Sequence, residues 1–163
     1  SEEIVTKMLE NFQKKITPDL LTEISRQKKT LFQVITMASL IEKEVPHEED
    51  RAVISGILWK RFGLGMGLQV DATISYIKQQ SANSKSQSAR ISIEDTKIDS
   101  PYNTYKYRGL PAGPIANPGL SAIRAAIFPK SSPYFYYLSA ADGKTIFSKT
   151  LEEHNAAKTK YLR

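Results

Sequence analysis

Residues 30–46, TLFQVITMASLIEKEVP, are a mostly apolar segment with a helix start signal at one end and a stop signal at the other. Thr30 followed by Gln33 fits a capping box, and Pro46 disfavours helical geometry in the residue before it. The residues between these ends are apolar at most positions, as in a helix with little contact with water. The segment therefore predicts a largely buried helix.

Two carboxylates, Glu42 and Glu44, lie near the end of this segment. Each helical residue is rotated by about 100° from the one before it, so Glu42 falls inside the apolar stripe, near Ile35 and Ala38. Glu44 falls on the polar arc, close to Gln33. Burial disfavours the charged form of a carboxyl group, and an acid on an apolar face is a candidate general acid. We predict this role for Glu42 and a solvated or structural charge for Glu44; the alternatives for Glu42 are an ion pair with a neighbouring helix or a position within reach of water.

The composition is that of a single globular domain. The 163 residues are 40% hydrophobic and 25% charged, and a chain of this length can bury a real core. No apolar run is long enough to span a membrane, and residues 1–25 lack a signal-peptide pattern. They predict an amphipathic helix instead, so the chain could be a fragment of a longer protein. The absence of cysteine excludes disulfides and thiol chemistry, and two histidines, His47 and His154, disfavour a metal site.

The charge balance favours an anionic partner. Lys and Arg number 23 against 17 Asp and Glu, a net charge of +6. The densest basic clusters, Lys28-Lys29 and Lys60-Arg61, are short and have no interleaved aromatic residues, which disfavours nucleic-acid binding. A membrane surface or an acidic polymer remains compatible with the charge.

Periodicity and turn signals outline the other elements. Helices are predicted over the first 15 residues, from Pro18 to about Gln27, over 48–62, from Ala72 (capped by Asp71) to about Lys78, over Leu120–Ile127, and from Thr150 to the C-terminus. Strands are predicted over 134–138 and 145–147, joined by a turn at 141–144. Residues 78–90 are polar and of low complexity, which predicts a mobile insertion. The predicted fold is α+β, a single domain over 1–163, mainly helical with a small antiparallel β-sheet.

Residues 100–120, SPYNTYKYRGLPAGPIANPGL, are rich in turn formers. Four prolines and three glycines disfavour regular structure, while three tyrosines and two asparagines make the stretch too particular for a plain linker. Ordered loops with polar and aromatic groups are where binding sites are built. We therefore expect part of a binding site here.

Five motifs in order, ASLIEKEV, Asp50-Arg51, GMGLQVDATI, SPYNTYKYRGLPAGPIANPG and FSKTLEEHN, resemble the YceG-like (MltG) family of endolytic murein transglycosylases. They run from about residue 38 to 155. The resemblance implies an enzyme on the extracytoplasmic face of the bacterial inner membrane, held by an N-terminal anchor and carrying a LysM-like subdomain. Since neither the anchor nor most of that subdomain is visible, the chain looks like an excised catalytic domain. Peptidoglycan strands, and cell-wall synthases such as penicillin-binding proteins, are the partners implied.

The resemblance also implies a reaction and places its acid on Glu42. The family cleaves the β-1,4 bond between N-acetylmuramic acid and N-acetylglucosamine without water, leaving a 1,6-anhydromuramoyl end. Hydrolytic glycosidases generally need two carboxyl groups. With the C6 hydroxyl of the muramic residue as internal nucleophile, one carboxyl group can first give and then accept a proton. We therefore expect no cofactor and no metal.

The family motifs imply a set of substrate-binding residues around this acid. They are Gln69 and Asp71 of the family's LQTDPT block, Asn103, Thr104 and Tyr105 of its NTY, Asn117 of its GPIxNPG, and His154 and Asn155 of its EHN. Helix capping is the alternative for Asp71, holding the loop for Asn103, and a structural hydrogen bond to the Pro/Gly loop for His154 and Asn155. Val70 and Ala72 depart from the family's usual Thr and Pro.

Two other functions are compatible with parts of the sequence. The first is a murein-binding module that positions a synthase and has lost activity, in which Glu42 would be exposed or ion-paired. The second is aminodeoxychorismate lyase, an older label for this family, which needs pyridoxal phosphate and a Schiff-base lysine. No lysine lies in an apolar, motif-bearing context, which disfavours the second.

Overall fold

The structure is a computed structural model that describes residues 2–80 and 91–162. Its helices are α1 (Glu2–Lys15), α2 (Pro18–Arg26), α3 (Leu31–Glu44), α4 (Glu48–Gly63), α5 (Asp71–Gln80), α6 (Leu120–Ile127) and α7 (Leu151–Tyr161), with a 3₁₀ turn at Asp95–Lys97 and strands β1 (Tyr136–Ser139) and β2 (Thr145–Ser148). The predicted α+β class with a small antiparallel sheet is confirmed. None of the helices within the described ranges is long and apolar enough to cross a membrane.

Helix α3 lies at the centre of the core. Its capping box is formed as predicted: the Gln33 N–H donates to Thr30 Oγ1 (3.1 Å), and the Thr30 N–H donates to Gln33 Oε1 (2.9 Å). Its middle is buried, and it packs against α2, α4, α5 and α6. The buried Ser39 hydroxyl accepts the Ile115 N–H (3.0 Å). This bond ties residues 100–119, the proline-rich loop, to α3. This helix therefore positions both the core and the loop that follows α5.

The β-hairpin and α7 form a smaller cluster beside the main core. The two strands pair from Tyr136 with Ser148 to Ser139 with Thr145, around a turn in which Gly143 has φ +85°. Leu138 of β1 packs with Ala157 of α7 in this second cluster. The first strand begins two residues later than predicted. Tyr137 and Phe147 of the two strands also pack against the main core, so the hairpin joins this smaller cluster to the helical body.

The predicted helix at the N-terminus and the predicted insertion after α5 have different outcomes. Helix α1 is formed, with none of its residues buried; Ile4 and Met8 are 65% and 61% exposed. Helix α5 continues to Gln80, so the expected mobile insertion does not begin at residue 78, and its remainder, 81–90, lies outside the described residues.

Candidate active site

The last turn of α3 borders two cavities. The larger, of about 380 Å³, lies between the helical body and the hairpin with α7. The smaller, of about 250 Å³, lies beside α5. Glu44 and Asp71 line both cavities, so the cavities meet at these two acids. Such a junction suits an elongated ligand that extends to either side of the acids.

Glu44 holds its proton more tightly than an ordinary glutamate. Burial raises the pKa of Glu44 from its usual 4.5 to about 7, and the charge of Asp71 adds to the rise. Two hydrogen bonds, from the Ala72 N–H to Oε1 (2.8 Å) and from Tyr137, oppose the rise without cancelling it. Because Oε1 accepts the Ala72 N–H, the acidic proton is carried by Oε2. The side chain can therefore both donate and accept a proton near neutral pH.

Glu44, predicted to be a solvated or structural charge, is half-buried and binds the Ala72 N–H through Oε1 (2.8 Å). The helical wheel places Glu44 on the polar arc of α3, but two distant elements cover that arc. The Ala72 N–H at the start of α5 donates to the carboxylate, and Tyr137 of β1 makes a second hydrogen bond to it. Periodicity identifies the face that packs into the core and carries no information on what covers the opposite face.

Glu42 lies outside both cavities. Its side chain is 30% exposed, and Oε1 is 3.5 Å from Nη2 of Arg51. Its Oε2 accepts the Gly119 N–H (3.0 Å) at the start of α6. Arg51 also donates from Nε to the Val45 carbonyl (3.2 Å). Glu42 is thus ion-paired, as one of its alternatives states, and it joins α3, α4 and α6.

Asp71 and Tyr105 form a pair at the junction of the cavities. Asp71 is the first residue of α5, and the Tyr105 hydroxyl donates a hydrogen bond to its Oδ1. Burial raises the pKa of Tyr105 above its usual 10, and the hydrogen bond to Asp71 raises it further, so the hydroxyl remains a donor. Asp71 therefore lies at the start of α5 and is also bound to the loop that carries Tyr105.

Gln69 faces the larger cavity from a strained turn. Its φ of +53° is in the left-handed region that favours glycine, and such strain persists only where the surroundings enforce it. The Gln69 N–H donates to the Thr104 carbonyl (3.1 Å), and its Oε1 accepts Nη2 of Arg61 (3.0 Å). Arg61 in turn donates to the Gly67 carbonyl from Nε and Nη2 (3.0 and 2.6 Å). Arg61 therefore fixes the turn that presents Gln69.

Asn103 and Thr104 lie inside the loop and away from the cavities. Both are 1% exposed. The Asn103 amide donates to two loop carbonyls, and its Oδ1 accepts the N–H groups of Tyr105 (2.9 Å) and Lys106 (3.2 Å). Thr104 Oγ1 accepts the Val70 N–H (3.0 Å). The loop-holding alternative describes Asn103, and these two residues act on the site by placing Tyr105.

One of the three residues of the EHN motif, His154, lines a cavity, whereas Asn117 and the other two residues of the motif do not. His154 lines the larger cavity and stacks on Tyr136, with ring centroids 5.2 Å apart. Burial lowers the pKa of His154, and its buried Nδ1 has no hydrogen-bond partner within the described chain. Its place is thus set by stacking and not by the alternative of a bond to the Pro/Gly loop. Glu153, Asn155 and Asn117 are not among the lining residues, and the two asparagines are exposed.

Several cavity residues escape sequence reasoning. Glu44, Arg61 and Tyr137 meet in space from α3, α4 and β1. Arg61 belongs to a basic pair that also suits a solvated helix end, and Tyr137 is one of four aromatic residues in a row of five. No spacing in the sequence marks either one. Across residues 2–80 and 91–162, no cluster of His, Asp and Glu side chains is suited to hold a metal ion.

Comparisons with known proteins were consistent with one another. The sequence model of the YceG-like family matches residues 1–160. The chain is 41% identical over 141 residues to the endolytic murein transglycosylase of Bacillus subtilis strain 168, covering 86% of this chain and 38% of that protein. It is 34% identical over 155 residues to the endolytic murein transglycosylase of Streptococcus pneumoniae serotype 2 strain D39, covering 94% and 28%. The crystal structure of a YceG-like protein from Listeria monocytogenes superposes with a TM-score of 0.81 at 39% identity, covering 95% and 48%. The chain thus spans less than half the length of these relatives.

Proposed function

The chain belongs to the YceG-like family, and we propose on that premise that it is a lytic transglycosylase domain acting on peptidoglycan strands. The names of its relatives support the general activity. The observation that carries the proposal here is Glu44, a half-buried acid that lines both cavities and whose pKa is raised to about 7. A glycan strand laid across this junction would present one glycosidic bond to the acid, with sugars on both sides.

In the proposed reaction Glu44 acts first as acid and then as base. Its Oε2 proton passes to the glycosidic oxygen between N-acetylmuramic acid and N-acetylglucosamine, and the C1–O bond breaks. The C6 hydroxyl of the muramic residue attacks C1 and gives its proton to Glu44, which restores the acid. The products are a 1,6-anhydromuramoyl end and a free C4 hydroxyl. No water, cofactor or metal enters the balance.

The internal nucleophile explains why one proton-carrying group is enough. A hydrolase must activate a water molecule with a second carboxylate. A hydroxyl on the reacting sugar itself is already close, and well-oriented intramolecular groups reach effective concentrations of about 10⁵ M or more. The proposed role of the cavity is to hold the muramic ring so that its C6 hydroxyl faces C1.

The geometry favours Glu44 over Glu42 as the acid. Both oxygens of Glu42 face partners that hold the fold, Arg51 and the Gly119 N–H, and Glu42 lines neither cavity. Glu44 lines both cavities, and its Oε1 accepts the Ala72 N–H (2.8 Å). The assignment of the acid to Glu42 from the sequence stays a prediction, and the experiment below tests the two acids side by side.

We propose, from the family resemblance, that the longer protein is anchored to the inner membrane and acts at its extracytoplasmic face. We likewise propose that it meets cell-wall synthases there.

The test compares matched acid-to-amide variants on purified murein. We expect the wild-type chain to release fragments with anhydromuramoyl ends, identified by mass spectrometry, and Glu44→Gln to lose at least about 100-fold in rate. Glu42→Gln should lose less than about tenfold, and Glu10→Gln, on exposed α1, should match the wild type. If Glu42→Gln is inactive and Glu44→Gln is active, the acid is Glu42. Murein binding without release of fragments would instead identify the non-catalytic binding module.

A further inference from the structure

We propose that Asp71 is a second catalytic residue, a fixed carboxylate that faces the anomeric carbon and stabilises the positive charge that develops there as the glycosidic bond breaks. This inference rests on the proposed function. It assigns to Asp71 an electrostatic role in the transition state, beyond hydrogen bonding to the bound glycan, and it assigns to Tyr105 the task of holding that carboxylate in place.

The position of Asp71 supports a contact with the reacting atoms. Asp71 and Glu44 are the two residues that line both cavities. The backbone N–H of the next residue, Ala72, donates to Glu44 Oε1 (2.8 Å), which fixes the two acids side by side. A bond that receives the proton of Glu44 therefore has its anomeric carbon near Asp71.

Three features place the Asp71 carboxylate. Its side chain is exposed, so it keeps contact with water. It is the first residue of α5, where the helix dipole favours a negative charge. The Tyr105 hydroxyl donates a hydrogen bond to Oδ1, which holds the carboxylate in one position. Tyr105 is itself held by the bond from its N–H to Asn103 Oδ1 (2.9 Å).

The two acids have different surroundings. Burial is the main reason that the pKa of Glu44 rises, and the negative charge of Asp71 raises it further. Pairs of carboxyl groups in such different environments commonly divide the tasks of proton donor and charge stabiliser. The other titratable groups that line the same cavities or face Glu44 are Lys43, Arg61, Tyr76, Tyr105, Tyr136, Tyr137, His154 and Lys158.

The chemistry needs no bond to Asp71. As the proton reaches the glycosidic oxygen and the C1–O bond breaks, positive charge spreads over C1 and the ring oxygen. A preorganised carboxylate lowers the energy of that state because it needs no reorganisation at the moment of reaction. When the C6 hydroxyl closes onto C1, the positive charge disappears and Asp71 is unchanged.

The chain offers a matched control pair. Tyr107 donates from its hydroxyl to Asp99 Oδ1 (2.6 Å) in the same region of the chain, and neither residue lines a cavity. We expect Asp71→Asn to lower kcat by about 100- to 1000-fold while KM changes less than about threefold. Asp99→Asn and Tyr107→Phe should retain the wild-type kcat within about twofold.

Tyr105 is expected to act through Asp71. Tyr105→Phe should lower kcat by about tenfold, and the double variant Asp71→Asn/Tyr105→Phe should be no slower than Asp71→Asn alone. Multiplicative losses in the double variant would contradict the pairing. Since Asp71 opens α5, circular dichroism and the Tm of each variant establish that it is folded.

A second measurement keeps the proposal testable if Asp71→Asn is unstable. NMR titration of the Glu44 carboxyl carbon, measured below the Tm of the variant, should give a lower pKa of Glu44 in Asp71→Asn than in the wild type. In Asp99→Asn the pKa of Glu44 should change by a smaller amount. The proposal is overturned if Asp71→Asn raises KM and leaves kcat unchanged, or if products carry reducing ends, which would make Asp71 part of a hydrolase. Activity that survives Glu44→Gln would instead remove Glu44 as the acid, and murein binding without release of fragments by the wild-type chain would overturn the proposed function.

Discussion

At the scale of single residues, Glu42 and Glu44 show how two acids on one helix acquire opposite tasks. Both follow the apolar run of α3, and they are separated by about 200° around the helix. Glu42 accepts from Gly119 and faces Arg51, which joins three helices. Glu44 is enclosed by α5 and β1 and retains a proton near neutrality. The difference comes from neighbours supplied by other parts of the chain.

The pKa of Glu44 predicts how stability depends on pH. Below about pH 4.5 this carboxyl group is protonated in both the folded and the unfolded chain and contributes nothing. Between pH 4.5 and about 7 the unfolded chain releases the proton while the folded chain keeps it, so the free energy of unfolding falls as pH rises. Glu44→Gln removes this loss. The variant should exceed the wild type by up to about 3 kcal/mol at pH 8 and by much less at pH 4.5.

Urea unfolding from pH 4.5 to 8 measures this difference. Glu10→Gln, which alters an exposed acid on α1, should differ from the wild type by the same small amount at every pH. A difference between Glu44→Gln and the wild type that stays constant across this range would contradict the burial of the Glu44 carboxyl group.

At the scale of elements, the proline-rich loop is held by side chains of α3 and by the turn before α5. Ser39 accepts the Ile115 N–H, and Glu42 accepts the Gly119 N–H. Thr104 accepts the Val70 N–H at the turn before α5. Proline removes N–H donors and glycine adds freedom, so such a loop depends on side chains of its neighbours for hydrogen bonds. The sequence predicts an ordered loop, and the structure supplies its partners.

The packing of α4 gives a sharp prediction at this scale. Gly56 lies against the segment after α6, where an added Cβ would be 2.0 Å from the Lys130 carbonyl oxygen. The Lys130 N–H is bound to the Ala52 carbonyl (2.8 Å), so the segment cannot easily retreat. Gly56→Ala should therefore lower the free energy of unfolding by about 2–3 kcal/mol.

Gly63, at the end of the same helix, is the matched control. An added Cβ at Gly63 meets nothing within 4 Å, and alanine has the higher helix propensity. Gly63→Ala should be neutral or stabilise by up to about 1 kcal/mol. Thermal unfolding distinguishes the two variants, and equal Tm values would show that the contact at Gly56 relaxes without cost.

At the scale of the whole molecule, the larger cavity lies between two unequal units. The main core surrounds α3, while the hairpin and α7 share a small cluster around Leu138 and Ala157. Elements with few buried contacts open more readily than the core. A ligand in the larger cavity would touch both units, because Gln69 and Arg61 line it from the body and Tyr136 from the hairpin.

Hydrogen exchange tests this arrangement. In the free chain, α7 should exchange faster than α3, of which seven residues are buried. Adding murein oligosaccharides to the Glu44→Gln variant should slow exchange in β1 and α7. Helix α1, which has no buried residue and lines neither cavity, should be unaffected. Protection confined to α1 would place the glycan elsewhere.

Local signals in the amino-acid order are enough to predict most of the elements and the family. The capping box at Thr30, the hairpin turn at Gly143 and the apolar stripe of α3 are such signals, because local hydrogen bonds and periodicity decide these features. The motif order identified the YceG-like family, which the comparisons confirm. The family motifs imply substrate-binding roles for Gln69, Asp71, Tyr105 and His154, which line one cavity, and for Asn103 and Thr104, which are buried away from it; these roles stay predictions.

Which of the two acids in residues 42–44, Glu42 or Glu44, lines the cavities depends on long-range packing. A carboxyl group changes its proton affinity through desolvation and nearby charge, and both depend on groups far away along the chain. Glu44 is enclosed by residues about 30 and 90 positions later, and Glu42 is paired nine residues away with Arg51. Helical periodicity reports one face of one helix. The surroundings of the other face exist only once the chain has folded.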